Sequence, residues 1–200
     1  METTGLSYQD AILEIAAFVT DANLEMQSQP FHRIIGMDKA FFPSRGSVMQ
    51  GIAMSGTPGG IAKIVVDMHN ESGLWAAMRD QNRVWRDGGY DVDAAMRSFF
   101  EWVGVQSVIV GPFVMAGAGV SHYDFPFLSH HWPEQMAQHF VYHQRDISVM
   151  RRFLLENCGD DLKHAIEEID TDLGKPPHRA IGDLNHAYEY ARRIRELVSP

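Results

Sequence analysis

Apolar and polar positions alternate along this chain with two different periods, which predicts a mixture of strands and helices. Apolar stretches at residues 11–20 and 107–115 are typical of strands covered on both faces, and 31–36 and 140–146 predict two more strands. Between and after them the pattern favours helices at residues 63–70, 74–80, 91–103, 123–131, 133–138, 147–157 and 160–169, with a final helix reaching about residue 197. Strands first, then strands and helices in alternation, predict a three-layer α/β domain.

One interval of the chain shows neither the strand period nor the helix period. Residues 37–62 are rich in Gly, Ser, Met and Pro, and we interpret them as a long flexible loop. The chain length suits one core, and no internal repeat divides it, so we expect a single domain over residues 1–200.

Composition indicates the cellular compartment in which this domain is expected. The longest apolar run, residues 108–120, is broken by three glycines and a proline and is too short to span a bilayer. No basic segment followed by an apolar one opens the chain, so we expect no secretory signal. Cys158 is the single cysteine, which excludes an intramolecular disulfide and fits a reducing compartment. We predict a cytoplasmic protein without a membrane partner.

The net charge of −9 argues against a general nucleic-acid binder, which would ordinarily be basic. It remains compatible with an enzyme that gathers carboxylates to hold divalent cations, because those cations then supply the positive charge that a phosphate needs. The ten histidines follow no common zinc-ligand spacing, so a zinc site is not favoured.

The start of the last predicted helix carries the most informative chemistry. Pro176 and Pro177 precede His178, and Asp183 follows five residues later. On an ideal helix five positions advance about 500°, which would put the two side chains roughly 140° apart. They can converge only if His178 lies in the entry loop, where the prolines place it. The pattern predicts an imidazole aimed at a water molecule beside a carboxylate-held metal.

Four motifs in order resemble those of the DEDDh 3′→5′ exonucleases, and within that family the oligoribonuclease branch. They are METTGL at residues 1–6 with ILEIAA at 12–17, MHNESGL at 68–74, YDFPFL at 123–128 with FVYHQRD at 140–146, and HRAIGD at 178–183. The resemblance covers nearly the whole chain. It implies a ribonuclease H-like three-layer fold, with a central mixed sheet flanked by helices and a truncated first strand.

The resemblance also assigns roles within a two-metal site. Glu2 and Asp183 would hold the Mg²⁺ or Mn²⁺ that activates water, Asp124 would serve the second cation, and His178 would act as general base. An imidazole suits that role because it ordinarily accepts a proton near neutral pH. From the residues alone, Asp124 could instead cap a helix, Asp183 could interact with the helix dipole, and Glu2 could be a frayed terminal residue.

Substrate contacts are expected from a wider set of side chains. Leu6 matches an apolar wedge between bases, with burial under the sheet as the alternative, and Tyr142 matches a tyrosine that reaches a partner protomer, with local packing as the alternative. The predicted substrate-binding residues are Leu6, Thr4, Ser121, Tyr142, Arg179 and Trp75. Trp85 and Trp132 offer further stacking surfaces, whereas Trp102 is expected in the core.

The chain departs from the family at its first motif, whose Asp would stand directly before Met1. Three interpretations stay open: a start assigned too late, a deliberately shortened chain, or a degenerate nuclease. Without that Asp, metal binding should weaken severely. Val141 and His143 also replace residues that favour dinucleotides in the family.

We therefore predict a metal-dependent 3′→5′ exonuclease that degrades short single-stranded RNA to nucleoside 5′-monophosphates as a homodimer. The alternatives are an exonuclease on single-stranded DNA and a catalytically impaired oligonucleotide-binding module.

Overall fold

The computed structural model describes residues 1–5, 9–37, 40–42, 46–57, 59–84 and 91–198. Its strands are β1 (Glu2–Thr3), β2 (Ile12–Ala17), β3 (Phe31–Ile34), β4 (Phe41–Phe42), β5 (Gly46–Ser47), β6 (Phe113–Gly117) and β7 (Phe140–Asp146). Its helices are α1 (Val48–Ala53), α2 (Lys63–Glu71), α3 (Leu74–Val84), α4 (Val92–Val110), α5 (Asp124–His131), α6 (Pro133–His139), α7 (Ile147–Asn157), α8 (Asp160–Leu173) and α9 (Ala180–Val198).

The strands form small sheets. β2 lies between β1 and β3 and is antiparallel to both, while β6 and β7 form a parallel pair and β4 and β5 a short hairpin. The prediction of a mixed α/β fold is confirmed. The predicted continuous central sheet is not formed, because within the described ranges no ladder joins β2 to β6.

The main core lies between β2, β3 and α4. Leu13 and Ile15 of β2 are buried together with Phe31 of β3 and with Phe99 and Val103 of α4. Phe99 and Val103 lie one helical turn apart on α4, so this helix buries one face, whereas the first four residues of β2 are buried on both faces of the strand. α9 packs on β2 as well, which brings its first turn close to β1.

The apolar run at 107–115 was predicted as a strand, and this is wrong for its first half. α4 continues to Val110 and stops at Gly111, whose φ of 85° favours glycine, followed by Pro112. Only from Phe113 does the chain extend as β6. Val108 and Ile109 are exposed on the last turn of α4, so apolar content alone did not indicate a strand covered on both faces.

The predicted loop at 37–62 also contains regular structure. Its described residues include β4, β5 and α1, and the Ser47 hydroxyl accepts a hydrogen bond from the Gln50 N–H at the start of that helix. The segments are only two to six residues long, too short to impose a visible period on the sequence.

None of the helices in the described part of the chain is long and apolar enough to cross a membrane.

Candidate active site

Two carboxyl groups meet where β1 lies beside the first turn of α9. Glu2 is 8% exposed, and its side chain is hydrogen-bonded to that of Asp183. Burial, together with the bond to Asp183 and its negative charge, raises the pKa of Glu2 to about 8. Near neutral pH the pair therefore holds a proton between two acidic groups.

Asp124 lies at the first residue of α5 and belongs to the same neighbourhood. One of its carboxylate oxygens is 3.0 Å from the amino nitrogen of Met1, directly before Glu2. Asp124, His178 and Asp183 line a cavity of about 630 Å³ together with Met1. The structure thus brings together the four residues predicted as catalytic, from three distant parts of the chain.

His178 lies outside the helix, as its spacing to Asp183 required. α9 begins at Ala180, and His178 has a φ of 55°, a left-handed conformation that histidine tolerates better than most residues. Its backbone N–H donates to an Asp183 carboxylate oxygen at 2.9 Å. A Cβ at position 182 would lie 2.4 Å from Pro177 Cγ, so Gly182 lets the first turn of α9 pack against the proline.

A second buried glutamate was not among the predicted site residues. Glu14 of β2 is fully buried and accepts hydrogen bonds from His32 Nε2 at 2.7 Å, from the Arg179 guanidinium, and from the Ala180 N–H at 2.8 Å. Burial alone would raise its pKa, but these donors lower the pKa of Glu14 to about 2. A charged residue inside the apolar run ILEIAA was the available signal, because a buried carboxylate needs partners.

His69 of α2 was also missed as a site residue. It is fully buried, its Nε2 is 3.1 Å from the Thr3 carbonyl oxygen, and its ring meets Trp75 edge-on. Its Nδ1 is buried without a hydrogen-bond partner among the described residues. Burial lowers the pKa of His69, and the nearby His178 lowers it further.

Three residues predicted to contact substrate make contacts within the protein instead. Trp75 is 1% exposed and its indole N–H donates to the Val66 carbonyl, so no base can stack on it in this arrangement. Thr4 is buried and its hydroxyl accepts from the Ala11 N–H. The Arg179 guanidinium is paired with Glu14 through both Nε and a terminal nitrogen, which fixes it in the protein.

Ser121 contributes to the loop before α5. Its hydroxyl and its N–H both donate to Asp146, which also accepts from the N–H groups of Gly119, Ser148 and Val149. These bonds lower the pKa of Asp146 against the effect of its burial. One carboxylate therefore joins the end of β6 to the start of α7 and sets the loop that leads to Asp124.

Leu6 and Tyr142, the other two residues predicted to contact substrate, stay predictions. Leu6 lies outside the described residues, as does Trp85. Tyr142 is 87% exposed on β7, which leaves its side chain accessible from outside the protomer. Trp102, expected in the core, is half-buried and packs against the main cluster.

Comparison with protein-family models found no match, and comparison with curated proteins found no significant one.

Proposed function

We propose that this protein is a metal-dependent 3′→5′ exonuclease that shortens single-stranded RNA in the cytoplasm and releases nucleoside 5′-monophosphates. The observation that carries the proposal is the hydrogen-bonded pair of Glu2, which is buried, and Asp183. Asp183 accepts a hydrogen bond from the His178 backbone N–H and lines one cavity with His178 and Asp124. The four DEDDh-like motifs supply these residues in the family's order. A ribonuclease H-like arrangement of the α/β fold is part of the same proposal.

The donor atoms fit a hard divalent cation. Carboxylate oxygens are the ligands that Mg²⁺ and Mn²⁺ prefer, and a pair of acids that must share a proton gains most when a cation replaces it. In the described ranges no group of three or more His, Cys, Asp or Glu side chains is close enough to enclose a metal. The fit is therefore to Glu2 and Asp183 as a pair, with Asp124 as a ligand of the other cation.

Two such cations would supply charge stabilisation to the attacking and leaving oxygens of the phosphodiester. Glu2 and Asp183 would hold the first and Asp124 the second. His178 would accept the proton of the attacking water, and the bond from its backbone N–H to Asp183 holds its main chain beside that carboxylate. Arg179, once expected to contact substrate, instead holds the chain next to that base.

We further propose that the enzyme acts as a homodimer in which Tyr142 reaches the partner's substrate. Support comes from the exposure of Tyr142 on β7, whose side chain is accessible to a second protomer.

A labelled oligonucleotide assay tests the proposed activity. A short RNA labelled at its 5′ end should be shortened stepwise from its 3′ end in Mn²⁺, and not in EDTA. Asp124→Ala should abolish the shortening, whereas Asp67→Ala, which removes a surface carboxylate paired with Lys63, should leave it unchanged. Single-stranded DNA of the same sequence shows whether RNA is preferred.

Oligonucleotide binding without turnover at any Mn²⁺ concentration would contradict the proposal. It would favour a binding module that retains the fold and has lost the chemistry.

A further inference from the structure

We infer that Glu14 is a positioning residue for His178, acting through the two residues that follow the histidine. The inference rests on the proposed function for its catalytic consequence, but the anchoring itself is a property of the contacts described here.

Glu14 holds the chain on the C-terminal side of His178 at two consecutive residues. One carboxylate oxygen accepts from Arg179 Nε at 3.0 Å and from the Ala180 N–H at 2.8 Å, and the other accepts from a terminal nitrogen of Arg179 at 2.8 Å. A fork of this kind fixes direction as well as distance, because both guanidinium nitrogens lie in one plane with the carboxylate.

Asp183 holds the histidine itself. It accepts from the His178 N–H, and its own N–H donates to the Arg179 carbonyl at 2.8 Å. His178 is therefore held by bonds on both sides of its Cα, in a left-handed conformation that is not the default for its residue type. Such a conformation persists where the surroundings impose it.

The carboxylate that imposes it is itself rigidly placed. Glu14 is in the central strand of its sheet, where it is paired in register with Glu2 on one side and Ile34 on the other. His32 Nε2 lies 2.7 Å from the oxygen that Arg179 shares, so the acid has no freedom to turn away. Glu14 thus links the His178 segment to β1, the strand that carries Glu2.

This arrangement gives Glu14 no contact with a reacting atom. Its side chain is fully buried, whereas His178 is exposed at the cavity. Loss of Glu14 should leave substrate binding intact and should displace the imidazole. A displacement of about 1 Å in a catalytic group can lower a rate by about 100-fold.

Hydrogen exchange tests the anchoring without any need for activity. In metal-free protein the Ala180 amide should exchange about tenfold faster in Glu14→Ala than in wild type. The Ile35 amide, which donates to the Leu13 carbonyl in the same sheet, reports whether the sheet is intact. Unchanged exchange at Ala180 beside an intact sheet would overturn the inference.

Kinetics tests the consequence with the milder Glu14→Gln, which keeps an acceptor oxygen and loses the charge. We expect kcat to fall by about 100-fold with KM unchanged, and no further fall when Glu14→Gln is added to His178→Ala. A rise in KM with kcat unchanged, or additive losses in the double variant, would overturn the positioning role. Absence of turnover in the wild type would instead contradict the proposed function, while the exchange measurement would still decide the anchoring.

Discussion

Glu2 and Glu14 are the same residue type, both buried, and they face each other as register partners across β1 and β2. Their acidities nevertheless differ widely. The pKa of Glu2 is raised to about 8, and the pKa of Glu14 is lowered to about 2.

The difference comes from what surrounds each carboxyl group. Burial acts on both in the same direction, toward the neutral acid. Glu14 overcomes it because His32, Arg179 and the Ala180 N–H all donate to it. Glu2 meets Asp183, a second acid. One strand pair therefore contains a carboxylate that is charged and holds structure, and a carboxylic acid that retains its proton near neutral pH and would release it to a cation.

The largest effect is expected from removing the charged carboxylate. Glu14→Ala leaves Arg179 without its partner in a half-buried position, and we expect the free energy of unfolding to fall by about 3–5 kcal/mol. Urea denaturation measures it. As a control, Lys63→Ala breaks an exposed pair and should change stability by no more than about 0.5 kcal/mol. If Glu14→Ala lowered the free energy of unfolding no more than the control does, Glu14 would not differ from a surface partner.

The raised pKa of Glu2 should make the stability of the protein depend on pH. Because the folded-state pKa of Glu2 lies above its ordinary value of 4.5, the folded chain retains a proton that the unfolded chain loses. Stability should therefore fall as pH rises from about 5 to about 8 in EDTA.

Glu2→Gln imitates the protonated acid and should flatten that dependence. Above about pH 8 the variant should be more stable than wild type, on the order of 1–3 kcal/mol. Thermal unfolding across this range measures the difference. Parallel curves for the two proteins would show that Glu2 does not carry the proton.

A smaller effect on stability should follow from replacing Arg179, the cation paired with Glu14, by a cation of a different shape. Arg179→Lys keeps the charge and removes the planar fork, so we expect a loss of about 1 kcal/mol in the free energy of unfolding. Arg152→Lys is the matched control, since Arg152 pairs with Glu156 at the surface. Equal values for the two variants would mean that the geometry of the Glu14 pair contributes nothing beyond charge.

The sequence predicted the structural features that depend on residues close together in the chain. The spacing of His178 and Asp183 after two prolines placed the histidine in the entry segment, and α9 begins at Ala180 as that required. β2, β3 and β7 also lie within the predicted intervals, and each begins with an apolar residue that can pack against its neighbours.

What the sequence did not indicate depends on contacts between distant segments. Trp75 was predicted to offer a stacking surface for bases, but it is buried and its indole N–H donates to the Val66 carbonyl. Arg179 was assigned to substrate because it follows His178, and its partner Glu14 lies 165 positions away. The end of α4 depended on Gly111 rather than on the apolar run that contains it.

Binding of Mn²⁺ at mildly alkaline pH tests most directly whether the Glu2–Asp183 pair is a cation site. The loss of the free Mn²⁺ signal in electron paramagnetic resonance measures it. We expect the wild type and Asp67→Asn to bind Mn²⁺ equally. Asp183→Asn should bind at least about 10-fold more weakly, because even the loss of a partner that only supports a metal ligand lowers affinity by about 10–100-fold. Equal Mn²⁺ affinity in Asp183→Asn and wild type, or no binding by the wild type, would contradict the account.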